Sequence, residues 1–400
     1  MRILVIGGSF GGLTVAFSLR QKLGARHEIV LVSKEARFTF IPSLPWVAMG
    51  WRRMADISFD LAPVLSRWKV GFVEAAVIRI DPAKKQVHTA VETLDYDYLV
   101  IATGHRSANE AVPGLGPFDG PGHSLMSPPE AEEAREAWTA FLDSPGPMVI
   151  GCAPGASCIG PAYEFAFEVH HALARRGLRH KVPIVFVTPE PHLGHFGVGG
   201  FGKARQFLEG EFEARDIRYR TSAAIASISA EAVQLVDGPS LPSRYSMILP
   251  ALSGVRAVAE SGLGNPKGFI PVDAHYRHKD HPAIYAVGVA VALPPVEETP
   301  VPVNFPKTSN MTRQMAAVAA HNLAADILGG APVTRTLSAE CILDMGDRGA
   351  HMFADPIRPP RNRSEMSIGR RWLWAKRAYE RYCLWRLKRG WAGPASGLLG

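Results

Sequence analysis

A cysteine stands where the sequence predicts the start of a helix, and its surroundings suit sulfur chemistry. Residues 148–150 are strand-like, residues 163–174 are helix-like, and Cys158 lies in the small-residue loop between them. A helix N-terminus lowers the pKa of a thiol and favours the thiolate, which is the form that attacks sulfur. Free cysteine also packs as a small hydrophobic residue, so an inert core thiol is the alternative to redox function.

The same loop occupies the position at which a second dinucleotide-binding fold would hold a pyrophosphate. Glycines are needed there so that backbone N–H groups can approach the phosphates at a helix N-terminus. The loop keeps Gly151 but has Ala153 and Ala156 at the other two fingerprint positions. The following strand, 184–187, ends in Thr188 rather than in an acid for the ribose. The pattern indicates a nicotinamide site that has been lost.

The first residues of the chain predict a strand, a glycine turn and a helix. Gly7 and Gly12 hold the outer positions of a dinucleotide fingerprint, with Ser9 at the middle position and Phe10 beside it. The next strand, 28–32, is followed by Ser33 and Lys34 where an acid for the adenosine ribose would be usual. Ser33 can still hydrogen-bond a hydroxyl group.

Three later segments strengthen the case for dinucleotide binding. Residues 96–104 read as a buried strand that ends in Thr103-Gly104, and residues 284–288 read as another. Residues 303–309 lead into a predicted helix at 310–328, with Thr308 or Ser309 as its N-cap. These elements, in this order around an inserted domain, resemble the two-dinucleotide-domain flavoprotein reductases. The alternative is a nucleotide-free α/β domain with the same strand and turn signals.

That resemblance implies an α/β fold with two Rossmann-like dinucleotide-binding domains. The FAD-binding domain would comprise residues 1–110 and 240–330, split by a degenerate NAD-type domain at 111–239. Residues 331–400 would form a C-terminal helical region for quinone binding and membrane attachment.

A more specific resemblance is to the sulfide:quinone oxidoreductases, and its motifs are spread over almost the whole chain. The segment 38–51 is similar to the family's flavin-lining segment, and the segment 155–165 to the region around its first redox cysteine. The segment 288–302 has Val289 at the usual aspartate position of flavin reductases, a departure that this family shares. The segment 340–347, Glu-Cys-Ile-Leu-Asp-Met-Gly-Asp, resembles the region of the second redox cysteine.

This resemblance implies a redox role for Cys158 with Cys341 as its partner. Sulfide would attack a disulfide or polysulfur bridge between them and leave a persulfide, and the thiolate freed, Cys341, would pass two electrons to FAD. The cofactor-binding residues would be Gly7, Ser9, Phe10, Gly12, Ser33, Lys34, Pro42, Thr103, Gly104, Gly288, Lys307 and Thr308. Lys307 would stabilise the anionic reduced flavin.

Many members of the family have a third cysteine, which in some anchors FAD covalently. Residues 124–130 contain none, so non-covalent FAD is expected. Cys152 is interpreted as a spectator. Glu164 matches a family acid and could accept a proton from hydrogen sulfide, with a helix-surface acid as the alternative. His195 is a second candidate base, with a structural hydrogen-bonding histidine as the alternative.

The C-terminal stretch supplies the second substrate site. On a helical wheel of residues 372–385 one wide arc is aromatic and small, and several cations stand opposite. The arc holds Trp372, Trp374, Ala375, Ala378, Tyr379, Tyr382, Cys383 and Trp385, and the cations are Arg377, Arg381 and Lys388. Such a helix predicts binding to a membrane surface with anionic lipid, as against docking on the protein itself. The family resemblance implies a quinone held between Ile342 and Tyr379, with Lys376 near a quinone carbonyl.

Charge and composition exclude other classes. The net charge is +7, and residues 370–391 hold eight Lys or Arg against one acid, but no nucleic-acid-binding motif is present. The four cysteines are too scattered for a disulfide framework, and no zinc-ligand spacing occurs, so no metal is expected. The longest apolar run, 283–296, is too short to span a bilayer. A chain that opens on a strand indicates no secretory signal.

We therefore expect a peripheral, monotopic enzyme on the cytoplasmic side that oxidises sulfide to sulfane sulfur or polysulfide and reduces membrane quinone. Its oligomeric state is open, with a homo-oligomer as one alternative. Two other functions stay open: a type II NADH:quinone dehydrogenase, and a flavin-binding sulfur carrier that does not turn over.

Overall fold

The structure, a computed structural model, describes residues 1–117 and 120–391. The first part of the chain alternates strands and helices, as the glycine turn and apolar runs predict. Its elements are β1 Arg2–Ile6, α1 Phe10–Leu23, β2 Glu28–Ser33, β3 Arg37–Thr39, α2 Leu44–Ala48, β4 Ser58–Asp60, α3 Leu61–Arg67, β5 Gly71–Glu74, β6 Val77–Asp81, β7 Gln86–Thr89, β8 Thr93–Asp95, β9 Tyr98–Ile101 and β10 Arg106–Ser107.

The middle of the chain contains the loop with Cys158 and a second alternation of strands and helices. Its elements are β11 Gly122–His123, α4 Pro128–Asp143, β12 Met148–Cys152, α5 Gly160–Arg175, β13 Ile184–Val187, α6 Ala204–Glu213, β14 Ile217–Arg220, β15 Ile225–Ile228, β16 Ala232–Leu235, β17 Ser240–Pro242, β18 Tyr245–Leu249 and β19 Leu252–Ser253.

The last part holds a long helix, a small sheet and the C-terminal helix. Its elements are α7 Arg256–Ala259, β20 Ile284–Ala286, α8 Ser309–Leu328, β21 Ala339–Asp344, β22 Gly349–Asp355, β23 Arg363–Gly369 and α9 Arg370–Lys388. Short 3₁₀ turns lie at Ile41–Ser43, Met54–Ile57, Asn109–Ala111, Arg179–Lys181 and Gly288–Ala290.

Two parallel sheets form the framework, and the first is assembled from both ends of the chain. Its strand order is β20-β9-β1-β2-β5, so β20 completes a sheet begun by β1. Helix α1 packs against α8 beside this sheet. Parallel strands joined by helices in this way form a dinucleotide-binding fold, which confirms the prediction of a first domain split by a second.

The second sheet has the order β11-β18-β12-β13-β14, and its neighbouring strands are all parallel. This confirms a second Rossmann-like unit. Strand β18 lies between β11 and β12, although the predicted boundary at residue 239 assigned it to the first domain. All five residues of β18 are buried, as expected for a central strand of either sheet, so the sequence alone could not decide between the two domains.

The C-terminal region is not only helical. Strands β21, β22 and β23 form an antiparallel meander, and α9 follows β23 directly. Helix α9 packs on β21 and β22 and so lies against the strand that carries Cys341. Residues 392–400 of the predicted region lie outside the described residues. Among the residues that the structure describes, no helix is long and apolar enough to cross a membrane.

Candidate functional site

The glycine loop at residues 7–12 brings its own backbone into close contact with the backbone of Ala102 and with itself. Gly7 has a φ of 115°, and a Cβ at this position would lie 2.2 Å from the carbonyl oxygen of Ala102. A Cβ at Gly12 would lie 1.8 Å from the carbonyl oxygen of Gly7. Only glycine fits at these two positions, so the fingerprint glycines bring the start of α1 close to the ends of β1 and β9.

Polar groups beside this loop have the chemistry to hold a dinucleotide. The hydroxyl of Thr103 is buried and has no hydrogen-bond partner within the described chain. Ser9 stands at the N-cap of α1 without a side-chain capping bond, which leaves the helix N-terminus open to an anion. Ser33 is buried and accepts a hydrogen bond from the Glu35 amide at 3.3 Å, whereas Lys34 pairs with Glu35 on the surface. These features fit a dinucleotide cofactor.

The predicted chemical residues gather around a cavity of about 200 Å³. Five segments that are distant in sequence supply its wall. The α5 start contributes Cys158 and Glu164, the segment before α8 contributes Lys307 and Thr308, β21 contributes Cys341 and Ile342, α9 contributes Lys376 and Tyr379, and Pro42 lies in the segment after β3. We call this space the cysteine cavity.

The two cysteines of the cavity are free thiols in the structure. Desolvation raises the pKa of Cys158 to about 11. Desolvation also raises the pKa of Cys341 to about 12; Lys376 opposes that shift, and Glu164 and Cys158 add to it. The helix N-terminus therefore does not produce the lowered thiol pKa that the sequence predicts for Cys158, because burial outweighs it. Both thiols are held in the neutral form at neutral pH.

A buried ion pair lies next to Cys341. Lys376 donates a hydrogen bond to Glu164, and both side chains are less than a tenth exposed. Desolvation raises the pKa of Glu164 to about 7, even though Lys376 opposes the shift. Glu164 is therefore not a helix-surface acid, and it can gain or lose a proton at neutral pH.

Two further buried acids stand behind this pair. Glu168 follows Glu164 by one helical turn and is fully buried, and burial raises the pKa of Glu168 well above its usual range. Asp344 accepts hydrogen bonds from the Trp46 indole at 3.0 Å and from the Gly346 amide at 2.6 Å. Desolvation lowers the pKa of Lys376, but the nearby carboxylates outweigh it and raise the pKa overall. The ammonium stays charged.

An apolar and aromatic end of the cavity adjoins the ion pair. Tyr379 is 6% exposed, and its ring lies 6.0 Å from that of Phe40 in an edge-to-face arrangement. Its hydroxyl accepts a hydrogen bond from Arg313 at 3.4 Å. Ile342 also lines this space. A flat, partly polar ring would find an aromatic face, an aliphatic face and the Lys376 ammonium together here.

Lys307 lines the cavity from the segment just before α8. Its ammonium donates to the Val289 carbonyl at 3.0 Å and lies 3.5 Å from the centre of the Phe269 ring. Desolvation lowers the pKa of Lys307 to about 7. The N-cap predicted for α8 is present, because the Thr308 hydroxyl accepts from the Met311 amide at 3.3 Å. Gly288 takes a φ of 70°, which brings it against Thr312 of α8.

His195 is not among the residues that line the cysteine cavity in the described chain. Its Nε2 bonds Glu297 at 2.8 Å, and its Nδ1 accepts from the Gly197 amide at 3.1 Å. Both ring nitrogens are therefore engaged with the protein. This geometry favours the structural alternative for His195, a histidine that ties the 195–200 loop to the 297 loop.

The loop that begins at Gly151 lacks two of the three fingerprint glycines, and the packing around it also leaves no room for a dinucleotide to approach Gly151. A Cβ at Gly151 would lie 1.9 Å from the carbonyl oxygen of Val187, so this glycine serves contact between β12 and β13. An acid does follow β13, but Glu190 is fully buried and accepts hydrogen bonds from Tyr163, Thr188 and the Phe196 amide. Its carboxylate is turned into the protein, where a ribose would not reach it.

The outer face of α9 differs from the predicted arc. Tyr379 and Cys383 are buried against the protein, while Trp374 is 66% and Trp385 is 45% exposed. The exposed residues of α9 from Arg371 onward, with Arg389 directly after the helix, form a stripe of cations and tryptophans: Arg371, Trp374, Ala378, Arg381, Trp385, Lys388 and Arg389. Aromatic and cationic residues therefore share one face, which we call the α9 stripe. The helical wheel identified the aromatic and cationic residues of α9 but could not show which of them are buried against the rest of the protein.

Some functional candidates were missed by the sequence reasoning. His105 lines the cavity directly after Gly104, and burial lowers the pKa of His105 to about 4, with Lys307 adding to the effect. His105 directly follows the Thr103-Gly104 turn, and this position in the sequence could have identified it as a candidate. Glu168 lies four residues after Glu164 and therefore on the same face of the helix, which is a signal visible in the sequence. No such signal in the sequence indicated Asp344.

Comparisons with known proteins identify the family of the chain. Residues 1–322 match the pyridine nucleotide-disulphide oxidoreductase family. A sulfide-quinone reductase from Aquifex aeolicus is 38% identical over 402 residues, covering 98% of this chain and 92% of that protein. The crystal structure of the sulfide:quinone oxidoreductase from Aquifex aeolicus matches with a TM-score of 0.95 over 98% of this chain and 92% of that chain.

A more distant relative represents the alternative enzyme. A type II NADH:quinone oxidoreductase from Staphylococcus aureus is 23% identical over 335 residues, covering 80% of this chain and 81% of that protein. The identity is lower and the match leaves part of each chain uncovered. The longer and stronger similarity decides the assignment: the chain belongs to the sulfide-quinone reductases, within the pyridine nucleotide-disulphide oxidoreductase family.

Proposed function

We propose that this protein oxidises sulfide to sulfane sulfur and delivers the electrons to a membrane quinone. The observation that carries the proposal is that Cys158 and Cys341, far apart in sequence, line one cavity together with Ile342, Lys376 and Tyr379. A thiol pair suits sulfur exchange, and the adjoining aromatic end suits a quinone ring. The overall reaction balances as H₂S plus quinone giving sulfane sulfur plus quinol.

FAD is the cofactor of the family, and it supplies two-electron transfer between the sulfur site and the quinone. The chain offers the glycine loop, Ser9 and Thr103 for its pyrophosphate and ribose portion. Pro42, Lys307 and Thr308 line the cysteine cavity, and these residues would contact its ring system. No cysteine occurs at 124–130, so the proposal includes non-covalent binding.

The sulfur step uses the cysteine pair in its disulfide form. Hydrosulfide attacks the Cys158 sulfur, the Cys158–Cys341 bond breaks, and Cys341 leaves as a thiolate while Cys158 carries the new persulfide. The two electrons of the broken bond stay on Cys341. Because burial raises the pKa of Cys341 to about 12, its thiolate is a high-energy species that favours donating those electrons onward.

Protons are handled by the Glu164–Lys376 pair. Oxidation of hydrosulfide releases one proton, and reduction of the quinone consumes two. Glu164 has a pKa of about 7 and lines the same cavity as the two cysteines and Tyr379, so it can accept a proton from the sulfur step and supply one to the quinone step. Lys376 holds the carboxylate in place and directs a charged donor at the quinone end.

The α9 stripe supports attachment at a membrane surface. Arg377 lies 5.6 Å from the centre of the Trp374 ring, and Arg389 lies 4.4 Å from that of Trp385. Tryptophan prefers the headgroup region and arginine pairs with anionic lipid there. Because α9 also carries Tyr379 and Lys376 on its inner face, the same helix would place the quinone end next to the bilayer.

The deciding experiment adds sulfide or NADH to the purified flavoprotein without oxygen and follows the flavin absorbance. We expect rapid bleaching by sulfide and recovery on adding a soluble quinone. Bleaching by NADH alone would overturn the proposal in favour of the dehydrogenase. No response to either would favour the sulfur carrier that does not turn over.

A further inference from the structure

A cavity of about 540 Å³ is lined by the end of α5, by α9 and by the turn between β21 and β22. Its wall is basic and partly aromatic: Trp51, His171, Ala172, Arg175, Arg176, Gly346 and Arg377. In the described chain it shares no wall residue with the cysteine cavity. The described lining holds three arginines and a histidine but no carboxylate, and we call this space the arginine cavity.

The three arginines of this cavity have no acidic partner within the described residues. Ion pairs in that part of the chain involve other basic residues and leave out Arg175, Arg176 and Arg377. Asp347, the acid that follows the lining glycine in sequence, pairs with Arg215 at 3.5 Å instead. The positive charge of the arginine cavity is therefore not balanced by the protein around it.

The helix end accounts for only two of these cations. Arg175 is the last residue of α5 and Arg176 is its C-cap, where the partial negative charge of the helix C-terminus favours a cation. Arg176 also donates a hydrogen bond to the Ala172 carbonyl at 3.3 Å. Arg377 comes from α9, so it adds a third like charge to the same space. An anion in the cavity would offset the repulsion among the three guanidinium groups.

Arg377 connects the arginine cavity to the α9 stripe. Its guanidinium lies 5.6 Å from the centre of the Trp374 ring, and Trp374 is 66% exposed. Trp51 adds a half-buried indole to the cavity wall. Tryptophan prefers the headgroup level of a bilayer. With Trp374 at that level, the phosphate groups of the lipids would lie beside Arg377.

We propose that the arginine cavity binds the phosphate group of an anionic phospholipid headgroup when the α9 stripe lies on a membrane. The inference rests on the membrane attachment in the proposed function. Guanidinium groups grip phosphate oxygens in a two-pronged geometry that an ammonium group lacks. A free inorganic phosphate offers the same oxygens, but the contact between Arg377 and Trp374 favours the lipid as the source. The site adds selectivity for headgroups to the general attraction between cations and a negative surface.

The first test compares two charge-neutralising double variants of the flavin-loaded protein in sedimentation with vesicles of phosphatidylcholine and phosphatidylglycerol. Arg175→Gln with Arg176→Gln should weaken binding about tenfold, since each cation near an anionic surface contributes to affinity. The control is Arg218→Gln with Arg220→Gln, which makes the same charge change at two exposed arginines of β14. The control should bind like wild type. Flavin bleaching by sulfide should be unchanged in both, because the two cavities share no described wall residue.

A second variant separates a binding site from general attraction of charge. Arg175→Lys with Arg176→Lys keeps both charges but removes the two-pronged geometry, so binding to the same vesicles should still fall about fivefold. Wild-type affinity in the lysine variant would overturn the headgroup site, because charge alone would then explain the binding.

The source of the phosphate is tested with inorganic phosphate in a calorimetric titration without vesicles. Tight binding of inorganic phosphate that the glutamine variant abolishes, together with unchanged vesicle binding, would overturn the lipid assignment. If the wild-type protein does not bind vesicles at all, the membrane attachment of the proposed function fails. If it binds them and neither arginine variant weakens the binding, only the headgroup site fails.

Discussion

Lys376 of α9 and Glu164 of α5 form an ion pair inside the protein, with 8% and 5% of their side chains exposed. The pair joins the two halves of the proposed reaction, because one partner follows the cysteine loop and the other shares a helix face with Tyr379. Its carboxylate has a pKa near 7, so the pair exists as charged partners or as a protonated acid beside an ammonium depending on pH. This balance leads to a prediction on pH dependence.

Glu164→Gln should slow flavin reduction by sulfide by about a hundredfold, the low end of what a positioned base contributes. With a pKa of about 7, raised by desolvation, the wild-type base is protonated below pH 7 and ionised above it. The wild-type rate should therefore rise as pH increases through 7 and then level off. Stopped-flow absorbance at a fixed hydrosulfide concentration isolates the enzyme group, and the amide variant should lose this step.

The matched control is Glu168→Gln, one turn along the same helix. Burial raises the pKa of Glu168 well above its usual range, which favours the protonated acid, and an amide has a similar shape to that acid. The rate and its pH profile should stay near wild type. A step near pH 7 that survives in Glu164→Gln would assign it to another group.

Cys158→Ser and Cys341→Ser should each abolish bleaching of the flavin by sulfide while leaving the flavin content unchanged. Serine is close in size to cysteine, and the substitutions leave the glycine loop and Thr103 unchanged, so cofactor binding should be retained. Cys152→Ala is the control, because Cys152 is fully buried and does not line the cysteine cavity in the described chain. A serine variant with the wild-type rate would show that the cysteine pair is not the sulfur site.

Tyr379→Leu should weaken quinone binding and leave sulfide oxidation intact. Loss of aromatic stacking is worth about 0.5–1.5 kcal/mol, which corresponds to an increase of about two- to tenfold in the KM for quinone. Tyr379→Phe keeps the ring and should stay close to wild type. Separate measurement of flavin bleaching by sulfide and of its reoxidation by quinone checks this. Equal slowing of both half-reactions by the leucine variant would mean that the tyrosine serves the fold instead.

The sequence predicted the framework well because its signals are local. The contacts at Gly7 and Gly12 need glycine wherever the loop occurs, and the N-cap at Thr308 is set by its own helix. Pairing Cys158 with Cys341 depended on the family resemblance, since spacing alone does not join distant cysteines. The structure then placed both on one cavity wall.

Features that depend on contacts between distant elements were harder to predict. His195 could be a catalytic base or a structural histidine. The hydrogen bond that favours the structural interpretation comes from Glu297, which lies in another loop. The helical wheel put Trp374, Tyr379 and Cys383 on one face of α9. In the structure Tyr379 and Cys383 are buried against the protein, whereas Trp374 is exposed. Asp344 is buried and accepts a hydrogen bond from Trp46, which is almost 300 residues away in the sequence. Periodicity within one segment carries no information on such partners.

Lys307→Met should lower the reduction potential of the flavin, because an ammonium beside the ring system stabilises the reduced anion. Desolvation lowers the pKa of Lys307 to about 7, so the lysine is charged below pH 7 and loses its charge above it. The difference between variant and wild type should therefore be larger at pH 6 than at pH 8. Spectroelectrochemical titration measures it, with Lys279→Met as the surface control. A difference that is independent of pH would point to packing rather than charge.

Replacing the exposed tryptophans of the α9 stripe should release the protein from membranes. In the double variant Trp374→Ser and Trp385→Ser, we expect binding to vesicles containing anionic lipid to weaken by about tenfold or more, which is about 1.4 kcal/mol. Both side chains face outward, so the fold and the bleaching by sulfide should be retained. Sedimentation with vesicles measures the binding.

The control for that experiment removes another exposed aromatic residue, Tyr219→Ser, on β14 of the second domain; Tyr219 is 39% exposed. Its binding to vesicles should match wild type. Raising the salt concentration should weaken wild-type binding, because each Lys or Arg near an anionic surface contributes about 1 kcal/mol and this contribution is screened. The tryptophan variant should show the same salt dependence from a lower starting affinity, since its cations remain. Wild-type affinity in the tryptophan variant would place the membrane contact elsewhere and remove the reason for quinone to enter beside α9.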